Sequence, residues 1–247
     1  MPMNYDLDFT GKTVLIVGGT SGIGNATAQG FRKNGAEVYV WGTRPSAADY
    51  SADDGSDLTG LHYQQMDVMD FDAIAAYDPP FAKLDVLVTC QGGVAYKRAE
   101  FEMETFQRIV DINLNSVMAC CLKFESMLEA SGGNIVIVGS IAGFHSTFGN
   151  PAYAASKTGV VGLVRTLGEA WAKKIRVNSV APGFVMTKLT TATTSRPDRL
   201  ERAVSKIPVG RAAAPEEMAG PILFLASPLA SFMVGQSLCV DGGRLLE

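Results

Sequence analysis

The sequence is poor in the residues that build metal centres and disulfide frameworks. It has four cysteines, Cys90, Cys120, Cys121 and Cys239, none in a C-x-x-C pair and two of them adjacent. That suits neither a zinc site nor a set of bridges, so they read as small apolar residues in a reducing compartment. The two histidines, His62 and His145, lie far apart in sequence, which argues against a histidine-based metal site. Basic residues do not dominate either. Lys and Arg number 21 against 25 Asp and Glu, for a formal charge of -4, so there is no electrostatic footprint for nucleic acid. The densest basic run, Lys173, Lys174 and Arg176, reads as a solvated helix end. No apolar stretch approaches the length of a membrane span, and the first residues lack the pattern of a secretory signal, so the expected location is the cytoplasm. No Pro/Gly/Ser linker separates two unlike halves, and residues 1–247 read as one domain.

What is present is a rhythm. Short apolar runs occur at 13–17, 37–41, 61–68, 84–90, 134–140, 176–181 and 236–241. Their β-branched content suits strands buried on both faces of a parallel sheet. Amphipathic helical stretches lie between them at 23–34, 102–130, 151–173 and 215–227. The alternation predicts an α/β fold: a doubly wound, Rossmann-type, seven-stranded parallel sheet with helices on both faces. Two connections depart from the rhythm. Residues 45–60 are rich in Ser, Asp and Gly, and Pro79-Pro80 cuts short any helix before the fourth strand.

The first strand runs into Gly18-Gly19-Thr20-Ser21-Gly22-Ile23-Gly24, which opens a helix. Glycines there permit a tight turn and close approach of backbone to a pyrophosphate, which the helix N-terminus then attracts. Further on, Tyr153-Ala-Ala-Ser-Lys157 puts a phenol and an ammonium four residues apart, on one helix face. An ammonium nearby favours a phenolate, so Lys157 is expected to lower the Tyr153 pKa and bring it into range for proton transfer. Ser140 ends the fifth apolar run thirteen residues earlier, at the sheet edge where ligands of such folds bind. At the end of the second run stands Gly42, where an acid would hydrogen-bond an adenosine ribose. Thr43 and Arg44 follow, and Arg44 can pair with a 2′-phosphate, so NADP is the expected cofactor, with NAD also possible.

Taken together, these motifs resemble the compact, single-domain branch of the short-chain dehydrogenase/reductase family over nearly the whole chain. The glycine loop is Gly18-x-x-x-Gly22-x-Gly24. The resemblance assigns Asp67, followed by Val68, as the adenine-contacting acid, and Asn113 in Asp111-Ile112-Asn113-Leu114 as the fourth member of a tetrad with Ser140, Tyr153 and Lys157. It implies that Asn113 anchors a water linking Lys157 to solvent. It also implies that Pro182-Gly183-Phe184-Val185-Met186-Thr187 holds the nicotinamide end, and that Lys157 binds the nicotinamide ribose. The family's N-N-A-G is Thr89-Cys90-Gln91-Gly92 here, which keeps Gly92 but replaces the bracing asparagine by threonine; Val17 stands for the usual first-strand threonine.

The implied activity is hydride transfer between NAD(P)(H) and a small or cyclic alcohol or ketone. A 3-oxoacyl-acyl-carrier-protein reductase and a non-catalytic cofactor-binding regulator are the alternatives. Phe144, Phe148, Phe184 and Leu189 suggest an apolar cleft, and His145 reads more simply as a surface residue; Arg196, Arg199 and Arg202, on a flap, fit an anionic substrate and a solvated helix face equally. A homotetramer is expected from the resemblance and from apolar stretches at 221–225 and 229–234.

Overall fold

The structure is a computed structural model and describes residues 5–52 and 55–246. Seven strands form one parallel sheet in the order β3-β2-β1-β4-β5-β6-β7. They are β1 (Thr13–Val17), β2 (Glu37–Gly42), β3 (His62–Gln65), β4 (Val86–Thr89), β5 (Asn134–Val138), β6 (Arg176–Pro182) and β7 (Ser237–Val240). The fold expectation holds. The two edge strands are the least buried, and the edge run at 61–68 gives only four strand residues. The β2–β3 ladder stops because Met66 N–H donates to Gly42 O at 2.8 Å, after which the chain turns at Asp67.

Side chains alternate between the faces, and each face has its own helices. Leu15, Val17, Leu87, Ile135 and Ile137 pack against α4 (Ser116–Ser131) and α5 (Pro151–Trp171) through Cys121, Phe124, Val160 and Val164. Val14, Ile16, Val38, Val86 and Val136 pack on α1 (Gly22–Lys33) and α8 (Glu216–Ala226). This second layer corrects the reading of 221–225 as an exposed patch: Ile222, Leu223 and Leu225 are buried on the sheet. In the neighbouring stretch Ala230 is buried and Phe232 fully exposed. The basic run is corrected too. Arg176 lies in β6, and its guanidinium donates to the carbonyls of Leu225, Ser227 and Ala230, fastening the end of α8.

The single helix expected over 102–130 is broken. It comprises α3 (Met103–Val110), a π-helical turn over Asp111–Asn115, and α4. The wider turn brings Asn113 fully inside, as is common where such a turn serves a site. Elsewhere the weak segments behave as their composition dictates. Residues 45–60 hold only a short turn at Ala47–Asp49, and α2 (Phe71–Ala76), capped by Asp70, ends before Pro79-Pro80. The exposed remainder of the chain includes α6 (Thr191–Thr194) and α7 (Pro197–Val204). Among the described residues, no helix is long and apolar enough to cross a membrane and no group of His, Cys, Asp or Glu is placed to hold a metal.

Candidate active site

In the strand order β1 lies between β2 and β4, so the crossovers leave it in opposite directions and a crevice opens beyond the carboxyl ends of the strands. A cavity of about 440 Å³ occupies that crevice. Of the residues singled out from sequence for catalysis or cofactor contact, all but Asn113 and Arg44 line it. Gly42, Cys90, Gln91 and the run Lys188–Thr190 also line it; the first three adjoin motif residues, and the run follows Thr187 directly.

The glycine turn has the shape a diphosphate requires. Gly18 and Gly22 have φ of +74° and +52°, values that L side chains rarely adopt. A Cβ on Gly18 would lie 2.9 Å from Gln91 N, and one on Gly24 would overlap Gly18 O. The turn therefore folds tightly on itself and on the start of the post-β4 loop, leaving the first N–H groups of α1 facing the cavity. These residues fit the pyrophosphate of a dinucleotide.

At the other end of the cavity Tyr153 and Lys157 project from the first turns of α5. The Lys157 Nζ lies 5.9 Å from the centre of the Tyr153 ring and donates to Val138 O at 3.0 Å. Burial lowers the Lys157 pKa to about 8. Tyr153 departs from expectation. Burial raises its pKa, a hydrogen bond with Ser140 opposes the rise, and Tyr96 and Glu100 add to it. The Lys157 ammonium is directed to the β5 backbone at Val138 O, and burial sets the direction of the shift. The Ser140 hydroxyl has two duties: it accepts from Ala142 N–H at 3.1 Å, capping a short turn, and it faces the phenol. Ser140 stands two residues past β5 rather than ending it.

Asn113 acts on the backbone. Its Oδ1 accepts from Gly93 N–H at 2.7 Å, and its Nδ2 donates to Gly93 O at 2.9 Å and to Ser156 Oγ at 3.1 Å. The amide thereby joins the π-helical turn, the loop after β4 and the catalytic helix. The departures from the family pattern leave marks nearby: the Thr89 hydroxyl and Gln91 Oε1 are buried without a partner.

At the end of β2, a Cβ on Gly42 would sit 2.5 Å from both Thr20 Cγ2 and the Tyr50 hydroxyl. The acid that binds ribose elsewhere has no room here. Tyr50, which sequence reasoning passed over, fills the place, accepting from Arg44 N–H at 3.1 Å. Arg44 lies outside the cavity lining, against the expectation. Its guanidinium rests 4.6 Å from the centre of the Tyr50 ring and donates to Asp49 O. Phe184 is also displaced, facing a separate pocket of about 220 Å³ with Ile207, Val209 and Arg211. Phe144, Phe148 and Leu189 are exposed, Arg199 donates to Ala192 O on a solvated surface, and His145 meets Ser146 O.

A parallel sheet, a glycine turn at its switch point and a phenol, ammonium and hydroxyl at the same rim define a dinucleotide-dependent oxidoreductase. The profile of the family described as enoyl-(acyl carrier protein) reductase matches residues 17–244. A 3-oxoacyl-[acyl-carrier-protein] reductase of Chlamydia muridarum is 36% identical over 94% of this chain and 96% of its own. A cis-4-hydroxycyclohexanecarboxylate dehydrogenase of Sinomonas cyclohexanicum is 35% identical over 95% of this chain and 97% of its own. A solved structure from Beutenbergia cavernae with NADP bound at low occupancy superposes with a TM-score of 0.85 at 35% identity, covering 98% of this chain and 99% of its own. The chain belongs to the short-chain dehydrogenase/reductase family, NAD(P)-dependent oxidoreductases that act on alcohol and ketone groups.

Proposed function

We propose that this chain interconverts a small or cyclic ketone and its alcohol with NADP(H), Tyr153 carrying the proton, within one domain over residues 1–247. The supporting observation is the convergence of Ser140, Tyr153 and Lys157 on the cavity bounded by the glycine turn. When bound, the nicotinamide supplies or accepts the hydride. Of the residues that line the cavity, Gly18, Thr20, Ser21, Gly22, Ile23 and Gly24 would hold the pyrophosphate, Asp67 and Val68 the adenine, and Gly92, Pro182, Gly183, Val185 and Thr187 the nicotinamide half. Ser140 donates to the substrate oxygen and Tyr153 protonates it as it gains charge. A phenol whose pKa is raised by burial stays protonated at neutral pH, which suits reduction. Lys157 would hold the nicotinamide ribose; at a pKa of about 8 it supplies positive charge to the cavity and loses it as pH rises. Reduction should therefore fall off above about pH 8, as a kcat/KM profile would show.

A second reading, a 3-oxoacyl-acyl-carrier-protein reductase, is favoured by the Chlamydia muridarum relative. The ring-bearing alcohol in the name of the Sinomonas relative favours the first. Turnover of acyl-carrier-protein thioesters against free cyclic ketones decides between them: a preference for the thioester replaces the first reading with the second.

NADP is the proposed cofactor because no carboxylate can stand at Gly42, where one would repel a 2′-phosphate. Thr43 lines the cavity and Arg44, the next residue, rests on the Tyr50 ring. Arg44 would exchange the Asp49 carbonyl for phosphate. A charge-assisted bond contributes about 1.5–3 kcal/mol, of which ordering removes part. Arg44→Ala is expected to weaken NADPH binding roughly tenfold and leave NADH nearly unchanged. Equal losses for both, or a higher kcat/KM with NADH in the unsubstituted protein, would overturn the assignment. We also propose cytoplasmic residence, on the buried free thiols of Cys120 and Cys121, and a homotetramer, on exposed Phe101, Met103, Leu122 and Phe232. A monomer mass by light scattering at micromolar concentration would rule out the assembly.

A further inference from the structure

The mechanism above makes no use of Glu100, a carboxylate only 1% exposed that lies beside the catalytic helix. It reaches that position from a short turn at Ala99–Phe101, preceded by Lys97 and Arg98 with φ of 58° and 63°. Two successive non-glycine residues in the left-handed region cost free energy and persist where surroundings over-determine them. The carboxylate they deliver is fully engaged. Oε1 accepts from Ala95 N–H at 3.0 Å and from Asn150 Nδ2 at 3.1 Å, and Oε2 accepts from Tyr153 N–H at 2.9 Å. The helix needs this partner. Its own N-cap residue, Asn150, makes no side-chain cap, Pro151 has no N–H, and its first turn holds no acidic residue.

We infer that Glu100 is a positioning residue for Tyr153, capping the catalytic helix from another segment. The bond falls on the main-chain N–H of Tyr153 itself, so the carboxylate fixes where the side chain starts. Oε1 alone ties the post-β4 loop, through Ala95, to the loop before α5, through Asn150, and so joins the two segments beside the phenol. The groups that face Tyr153 are Tyr96 and Glu100 from the post-β4 segment, Ser140 after β5, and Lys157 on the same helix. Glu100 and Tyr96 hold the proton on the phenol, and the hydrogen bond with Ser140 favours its release.

This inference rests on Tyr153 being the proton carrier, and its test is read on the pH profile. Glu100→Gln removes the charge and puts an amide N–H₂ in place of one of the two acceptor oxygens, against at least one of the three N–H donors. Alcohol oxidation with NADP, followed as kcat/KM against pH, should show its acid limb moved to lower pH by half a unit or more. At the same time kcat should fall at least tenfold while the NADPH dissociation constant stays within twofold. An unmoved limb overturns the proposal, whatever kcat does, because a purely structural brace would not alter proton affinity. Should Glu100→Gln not be recovered folded, Glu100→Asp decides. It keeps the charge but draws the carboxylate back, so the limb should hold while kcat falls about tenfold; a kcat equal to that of the unsubstituted protein overturns the proposal. Loss of the Tyr153 assignment would show separately, as turnover surviving in Tyr153→Phe.

Discussion

Tyr153→Phe should lose turnover by about three orders of magnitude while binding NADPH as tightly as the unsubstituted protein. General acid–base catalysis contributes typically 10²–10⁴-fold, and the phenol is the group placed for it. The ring is half-buried in the cavity wall, and removing one oxygen leaves its carbon packing unchanged. The hydroxyl leaves Ser140 facing an edge of the ring, but Ser140 keeps its bond from Ala142 N–H and therefore its place. The glycine turn and Lys157, the residues proposed to hold the cofactor, are left alone by the substitution. Stopped-flow hydride transfer and fluorescence titration of NADPH measure the two quantities independently. A variant that retains most of its rate would put the proton on another group, and a variant that loses cofactor binding as well would say that the phenol is part of the nucleotide site.

The parts of this molecule that could be read from its sequence are those carried by period and by glycine. The strands of the sheet centre are runs of β-branched residues whose alternation puts Val14 and Ile16 on one face and Leu15 and Val17 on the other. Gly18, Gly22 and Gly24 declare themselves because no other residue fits the turn. What was not legible depends on contacts between distant segments. The break at Asp111–Asn115 leaves no signal in helical periodicity, since it exists to let Asn113 clamp Gly93. The stretch 221–225 is apolar in either of two roles, and only the sheet behind it shows that it is core. Arg44 was assigned by its charge, but its position is set by Tyr50, which stands six residues on in a loop without pattern. Glu100 looks from sequence like any solvated acid before a helix, and it is the backbone at Lys97 and Arg98 that turns it inward.

The protein without cofactor should become more stable, and inactive, when Lys157 is replaced by methionine. Lys157 is 4% exposed, and its ammonium has one hydrogen-bond acceptor, Val138 O at 3.0 Å. Burial holds its pKa at about 8 against 10.5 for the free side chain. Each unit of that depression corresponds to about 1.4 kcal/mol, so at neutral pH the buried charge costs on the order of 3 kcal/mol. Methionine removes the cost and roughly matches the stem, while the lost charge-assisted bond to Val138 O takes back about 2 kcal/mol. A net gain of about 1 kcal/mol should raise Tm by roughly 2–4 °C in a chain of this length. The pH dependence separates this cause from better packing. Because the folded pKa lies below the unfolded one, the unfolded chain binds more protons between about pH 8 and 10.5, and the unsubstituted protein gains stability over that window. The advantage of Lys157→Met should therefore be full below pH 8 and fade as pH rises toward 10.5, as urea midpoints measured across the range would show. An advantage that is constant with pH would assign the gain to packing. A variant less stable than the parent at pH 7 would show that the ammonium is held more favourably than its surroundings indicate. The expected result makes the catalytic lysine a site where the fold gives up stability so that positive charge can stand beneath the reacting groups.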